Sequence, residues 1–257
     1  LKMEDSSNLD LDSSSNALTF TTTGTLTATK DNPSNNFCTL NPLDSYYQSQ
    51  SLVKGNTEVT TSTSSYAWTT GTLGVSAGLW YFETDVYQSP ADRQVLIGIS
   101  SDVATATNAE LGNNANDYGY YGYEGKIRHN NGVTTYGDTF TDGDIIGTYI
   151  DLNANKLYFA KNGTIQNSGT GFDITAAADT IIGAYIPSMC QYHGGSTAAI
   201  FLTNFGNGYF STTAITSPEA DAGGIGAFKY DPSAGTFDGA SKDFRAICTK
   251  NIKAYGG

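Results

Sequence analysis

Gly143-Asp144-Ile145-Ile146-Gly147, then Asp151, then Leu157-Tyr158-Phe159 and Asn162-Gly163, form the stretch whose reading decides the fold. Gly143-Asp144 has the chemistry of a turn. Ile146 and Ile150 share a parity, so both bury on one face of a strand that Asp151 ends. Leu157 and Phe159 return antiparallel on the same inner face. Asn162-Gly163 then supplies the positive φ of the next tight turn.

The same pattern extends in both directions. Upstream, Gly78 introduces Leu79-Trp80-Tyr81-Phe82-Glu83-Thr84-Asp85-Val86, where Trp80, Phe82, Thr84 and Val86 line a core and Glu83 and Asp85 face the other way. Further strands are expected over 57–63, 65–72, 95–99, 118–123, 126–129, 134–136, 145–151, 156–161, 180–186 and 198–202. Asn130-Asn131-Gly132 and Asp142-Gly143-Asp144 mark turns between some of them. Many short strands with little helical periodicity predict an all-β protein, a two-sheet antiparallel β-sandwich over residues 56–206. Trp80, Phe82, Ile97, Ile146, Ile150, Leu157 and Phe159 are assigned to one core. Residues 1–55, interrupted by Asn32-Pro33 and Asn41-Pro42, read as an extended arm with short strands. Residues 207–257 read as a loop-rich C-terminal segment, in which Phe244, Ile247 and Cys248 permit one short helix within 242–254.

Composition narrows the function. The 25 acidic residues against 13 Lys plus Arg give a net charge of -12, which repels a phosphate backbone and argues against nucleic acid. No run approaches the roughly 18 apolar residues of a membrane span. The chain opens at Leu1 rather than Met, so its lack of a leader carries no weight. Cys38, Cys190 and Cys248 lie far apart without a C-x-x-C pair. They read as buried apolar fillers, with a Cys38–Cys248 tie as the sharper alternative. The run 10–16 lacks the Gly and Glu of a calcium loop and reads as a polar turn.

Three ordered stretches resemble the SPRY (B30.2-like) family of concanavalin-like sandwiches: Gly78-Leu79-Trp80-Tyr81-Phe82-Glu83, Ile97-Gly98-Ile99-Ser100, and the opening stretch from Gly143 to Gly163. Ile200-Phe201-Leu202-Thr203-Asn204-Phe205-Gly206 is similar to that family's closing strand. The resemblance covers roughly residues 56–206 and testifies to fold rather than chemistry. The flanks 31–43 and 244–252 look like segments that bracket SPRY-like domains in structural proteins of marine tailed phages, which implies a virion protein.

Concanavalin-like folds also host glucanases with an E-x-D-x-x-E strand. Glu83-Thr84-Asp85 is the one candidate, but Tyr87 and Gln88 stand where the third carboxylate is needed. His129 and His193 read as loop residues, and no G-x-S-x-G elbow is present. No catalytic residue, metal ligand or cofactor is therefore expected. In Tyr118-Gly119-Tyr120-Tyr121-Gly122-Tyr123, alternation places Tyr118 and Tyr120 on one face and Tyr121 and Tyr123 on the other. About half of these rings are then exposed and able to stack on sugars. Tyr118 and Tyr120, with Tyr192 and His193 in a second loop, are the candidate ligand-binding residues. Loops 101–117 and 187–197 are expected to serve recognition, and the arm 1–50 assembly. The resulting expectation is a non-enzymatic phage structural protein exposed on the virion, as tail fibre, receptor-binding module or capsid decoration. It would be a homo-oligomer whose partners are other virion proteins, identical subunits, or a host surface glycan or protein. The alternative is a free carbohydrate-binding lectin or adhesin domain of cellular origin.

Overall fold

The computed structural model describes residues 8–12, 14–24, 26, 30–44, 50–63, 66–90, 94–102, 109–191 and 197–256. Fifteen strands of the described residues build the sandwich, fourteen of them in residues 51–204: β1 (Ser51–Val53), β2 (Glu58–Thr60), β3 (Ala67–Thr70), β4 (Leu79–Gln88), β5 (Val95–Ser100), β6 (Asp117–Tyr121), β7 (Lys126–His129), β8 (Gly132–Thr135), β9 (Ile145–Asp151), β10 (Lys156–Lys161), β11 (Thr164–Ile165), β12 (Phe172–Asp173), β13 (Ile186–Gln191) and β14 (Ile200–Asn204). The C-terminal segment adds the short pairs β15 (Tyr209–Phe210) with β16 (Thr213–Ala214) and β17 (Glu219–Ala220) with β18 (Ala227–Phe228). After these come β19 (Arg245–Ala246) and the helix α1 (Thr249–Tyr255).

One sheet has the order β1-β2-β14-β4-β9-β10-β11, with β12 beside β10 and β19 beside β4; the other runs β3-β13-β5-β6-β7-β8. Within these two sheets, every pairing among the described residues is antiparallel except that of β19, which lies parallel to β4 at Trp80 and Tyr81. The decisive stretch folds as its alternation demands. Leu157 pairs with Ile150 and Ile150 with Trp80; Phe159 pairs with Thr148 and Thr148 with Phe82. These inward rows meet Ile97, Tyr118, Tyr120 and Ile127 of the opposite sheet, and all seven residues assigned to the core from sequence are fully buried in it. The turns at the two ends of the stretch hold each other. Asn162 Nδ2 donates to Asp144 Oδ1 at 2.7 Å, and Asn162 Oδ1 accepts the Ile145 N–H at 2.8 Å.

One strand lies elsewhere than expected. Residues 180–184 are irregular, and the strand is Ile186–Gln191, central between β3 and β5. Pro187 argues against a central strand because it lacks an N–H. Here Pro187 O accepts from Gly71 N at 2.8 Å, just past the end of β3, so the missing donor falls where no strand residue needs it. The short helix falls in the late part of the 242–254 window, at Thr249–Tyr255, and Phe244, Ile247 and Cys248 precede it and are buried.

The two flanks pair with each other. Cys38 N donates to Ile247 O and Thr249 N to Asn36 O, each at 2.9 Å, and Phe37 bridges Cys248. Backbone bonds thus tie the ends together, while Cys38, Cys190 and Cys248 are all buried and free. In the run 10–16, Asp12 Oδ1 accepts the Ser14 N–H at 3.1 Å, an Asx-type turn.

Candidate functional site

Alternation sends Tyr81 and Glu83 to the face of the larger sheet opposite the core, with Tyr149 and Tyr158 in the same row as Tyr81. That face is covered rather than solvated. Tyr81 packs edge-on against Phe228 at 4.8 Å between ring centroids, and Tyr149 lies 4.9 Å from Phe237 and 5.0 Å from Phe244. The C-terminal segment is therefore a lid on the outer face. Gly147 makes room for the Tyr81 ring beneath it, since a Cβ there would sit 2.7 Å from Tyr81 Oη.

Glu83 is the polar anchor of this layer. Its carboxylate accepts from Tyr230 N at 2.8 Å, Lys229 N at 2.9 Å, Asn204 Nδ2 at 3.1 Å and Tyr81 Oη at 3.1 Å, and it is fully buried. Burial pushes its pKa up to about 7, and the four donors hold it from rising further. Asp85 is half-buried, raised to about 6 by burial and then by Asp144. A glycosidase needs two carboxyl groups flanking an open cleft. Glu83 instead lies under residues 228–230 with its lone pairs occupied. Asp221 plays a similar part, accepting from Ile225 N, Gly226 N, Ala246 N and Asn251 Nδ2. Lys242 reaches Asp151 at 2.5 Å, so the aspartate that ends β9 also anchors the lid.

The candidate binding tyrosines need correction. Tyr118 and Tyr120 are core residues, 1% and 0% exposed, and neither offers a ring face to a ligand. Tyr118 stacks on His129 at 4.3 Å, and Tyr120 on Phe159 at 5.0 Å. The face split was read correctly, but the outer face of this sheet is also covered. Gly119 has no Cβ, so Leu111 can lie over it, and Leu111 then buries Tyr121 with Trp68, Leu96 and Cys190. Trp68 Nε1 donates to Ala109 O at 2.8 Å and pins the same loop. Tyr123 is the exposed ring of the run. Tyr192 and His193 lie outside the described residues.

The two loops assigned to recognition do not converge. Ser100 pairs with Ile186 while Val95 pairs with Gln191, so the loop after Ser100 and the loop after Gln191 leave opposite ends of the sandwich. Residues 187–191 belong to β13 and are buried. At the end where residues 101–102 and 109–116 lie, the connection before β13 exposes Ile181 and Ile182, 67% and 42% accessible. Leu43 is 80% accessible beside the same end of β3, held there by Asn41 N donating to Thr70 O and by the bond between Thr70 Oγ1 and Asp44. Sequence reasoning missed these three aliphatic residues. The signal for the pair was an Ile-Ile step followed by Gly183, which takes a positive φ and breaks a strand.

The fold is thus a two-sheet antiparallel sandwich in which the motif carboxylate Glu83 is consumed by packing, while Leu43, Ile181 and Ile182 stand exposed in connections at one end. Residues 79–204 match the SPRY domain family and form a SPRY domain. The crystal structure of the SPRY domain of human HERC1 is similar in fold, with TM-score 0.50 and 18% identity over 63% of this chain and 94% of that one. A 92-residue stretch is 33% identical to Ran-binding protein 10 of Danio rerio and to Ran-binding protein 9 of Homo sapiens, covering 35% of this chain but 15% and 12% of theirs. The Ran-binding proteins 9/10 homolog of Drosophila melanogaster is 34% identical over 89 residues, 34% of this chain and 9% of its own. The chain thus spans less than a sixth of the length of these relatives.

Proposed function

We propose that this chain is a non-enzymatic binding module exposed on a phage particle, engaging a protein partner through the end of the sandwich that carries Leu43, Ile181 and Ile182. The observation that carries the reading is the contrast between a sealed Glu83 and three large aliphatic side chains left in solvent on a rigid frame. SPRY domains mediate protein interactions, and the relatives above are named for binding Ran. Burial of Tyr118 and Tyr120 removes the stacking argument for a glycan, which favours a protein. With a net charge of -12, a partner with Lys and Arg around an apolar centre suits this surface. The virion setting rests on the flanks 31–43 and 244–252, which pair into one unit beside the sandwich; the relatives named above are animal proteins and do not bear on it.

Mass spectrometry of gradient-purified particles, with antibody labelling, tests the setting: the chain should co-purify and be labelled on intact particles, and its absence from them ends the virion reading. Partner binding is tested by Ile181→Asp with Ile182→Asp. The double variant is expected to lose capture of the partner by at least about tenfold, the effect of removing a small apolar hot spot, with thermal unfolding unchanged. Unchanged capture moves the site elsewhere. Glucan hydrolysis that disappears in Glu83→Gln would make the protein an enzyme.

A further inference from the structure

The six-stranded sheet has two edges, and the chain treats them differently. At β3 the edge is closed: Asn41 N donates to Thr70 O at 2.7 Å, Leu40 bridges Gly71, and all four residues of β3 are buried. At β8, Gly132–Thr135 are all exposed, Val133 by half. Open edges are normally blunted by Lys or Pro, and β8 has neither. Its free groups follow from ladder parity. Tyr136 N donates to Gly125 O at 3.2 Å, so the pairs Ile127–Thr134 and His129–Gly132 exchange the hairpin's bonds. Val133 and Thr135 therefore turn their N–H and C=O groups outward.

The N-terminal arm holds a matching edge. Asp12 N donates to Leu18 O at 2.7 Å and Phe20 N to Asp10 O at 2.9 Å, flanking the Leu11–Thr19 bridge. In that geometry Thr19, and Thr21 two residues on, face their backbone groups away from the hairpin, with the spacing of Val133 and Thr135. The segment 18–23, Leu-Thr-Phe-Thr-Thr-Thr, is rich in strand-forming residues, and Leu18 and Phe20 stand 58% and 49% exposed. Residues 8–26 carry Asp10 and Asp12 and no cation. Residues 126–136 carry Lys126 and Arg128, but Lys126 is paired with Glu124 at 3.3 Å and Arg128 with Glu110 at 3.1 Å, so the match between the two edges is one of backbone parity and exposed apolar side chains rather than of charge.

We propose that β8 is the docking edge for strand 18–23 of a second copy of this chain. The added strand continues the six-stranded sheet and sets Leu18 and Phe20 beside its margin. Val133 and Arg128 form one cross-strand pair there, with the Arg128 guanidinium over the Tyr121 ring at 4.7 Å. The contact joins two different surfaces, so copies either exchange arms pairwise or run head to tail into a ring or filament. This assembly edge is separate from the end bearing Leu43, Ile181 and Ile182, and it stands or falls without that site.

Sedimentation velocity of the full chain over a concentration series tests the proposal. Wild type is expected to assemble as concentration rises. Val133→Pro blocks the edge and Thr19→Pro blocks the arm. Neither removes a bond inside its own hairpin, so each variant is expected to stay monomeric with wild-type thermal unfolding. Mixed together they should recover association, because each keeps the surface the other has lost. Val133→Glu, an exposed change that leaves the backbone intact, replaces the proline variant if that one unfolds. A wild type monomeric at every concentration, assembly that survives either block, or a mixture that fails to associate would each overturn the proposal.

Discussion

Phe159→Ala is expected to cost about 3–5 kcal/mol of stability, the usual price of emptying a large aromatic site in a packed core. Phe159 is fully buried, stacks on Tyr120 at 5.0 Å and meets Tyr136 edge-on at 5.7 Å. It thus bridges the two sheets at a point where backbone and side chains on both sides are fixed. Urea unfolding should show the midpoint falling sharply with the slope unchanged, because the surface exposed on unfolding hardly differs. Tyr123→Ala, at the exposed end of the tyrosine run, should move the midpoint by less than about 0.5 kcal/mol equivalent. Equal losses at the two positions would mean that Phe159 does not sit at the junction of the sheets.

The strand alternation that placed Phe159 was legible because it is local. Trp80, Phe82, Ile146, Ile150, Leu157 and Phe159 lie on strands whose partners follow closely in sequence or share a cross-strand row, and period-two patterning sets their face without knowledge of the rest of the chain. The covering of the opposite face was not legible in this way. Parity places Tyr81, Tyr149 and Tyr158 on the face opposite the core, and an aromatic row there was the signal that something covers it. Its counterpart, Phe228, Phe237 and Phe244, sits in a segment whose Gly and Ala content reads as loop.

The site was less legible for the same reason. Whether Tyr118 or Tyr121 is exposed depends on Leu111 lying over Gly119, a contact between a loop and a strand that no periodicity encodes. Loops 101–117 and 187–197 are both assigned to recognition for their length and turn-forming residues, which say nothing of where each leaves the sandwich. Their separation follows from β5 pairing with β13 across nearly ninety residues of intervening sequence. Pro187 marks a strand break in sequence, yet its missing N–H is harmless in β13 because β3 stops one residue short of it.

Glu83 joins the outer face of the larger sheet to the segment that covers it, and its titration has a large expected effect on stability. Its folded pKa, raised from 4.5 to about 7 by burial, lies above that of the unfolded chain. The native state therefore holds the proton more tightly. The stability this confers is fully present below pH 4.5 and is lost as pH rises through about 7, a swing of about 3 kcal/mol for this group. Asp85, raised to about 6, adds in the same direction. Wild type should accordingly melt higher near pH 5 than near pH 8, by about 2–4 °C for each kcal/mol in a chain of this size. General charge repulsion also eases on acidification, so the diagnostic quantity is the difference between variants. Glu83→Gln cannot ionise, and its melting temperature should vary much less over the same range, whatever its absolute stability. Glu83→Ala leaves the N–H groups of Lys229 and Tyr230 and the Asn204 amide without their acceptor under the lid. It should lose about 3–5 kcal/mol and open the C-terminal segment to proteolysis before the sandwich unfolds. If Glu83→Gln keeps the full pH dependence of wild type, the carboxylate is not the group that titrates. If Glu83→Ala leaves the segment as protected as before, the lid is held by its aromatic contacts alone.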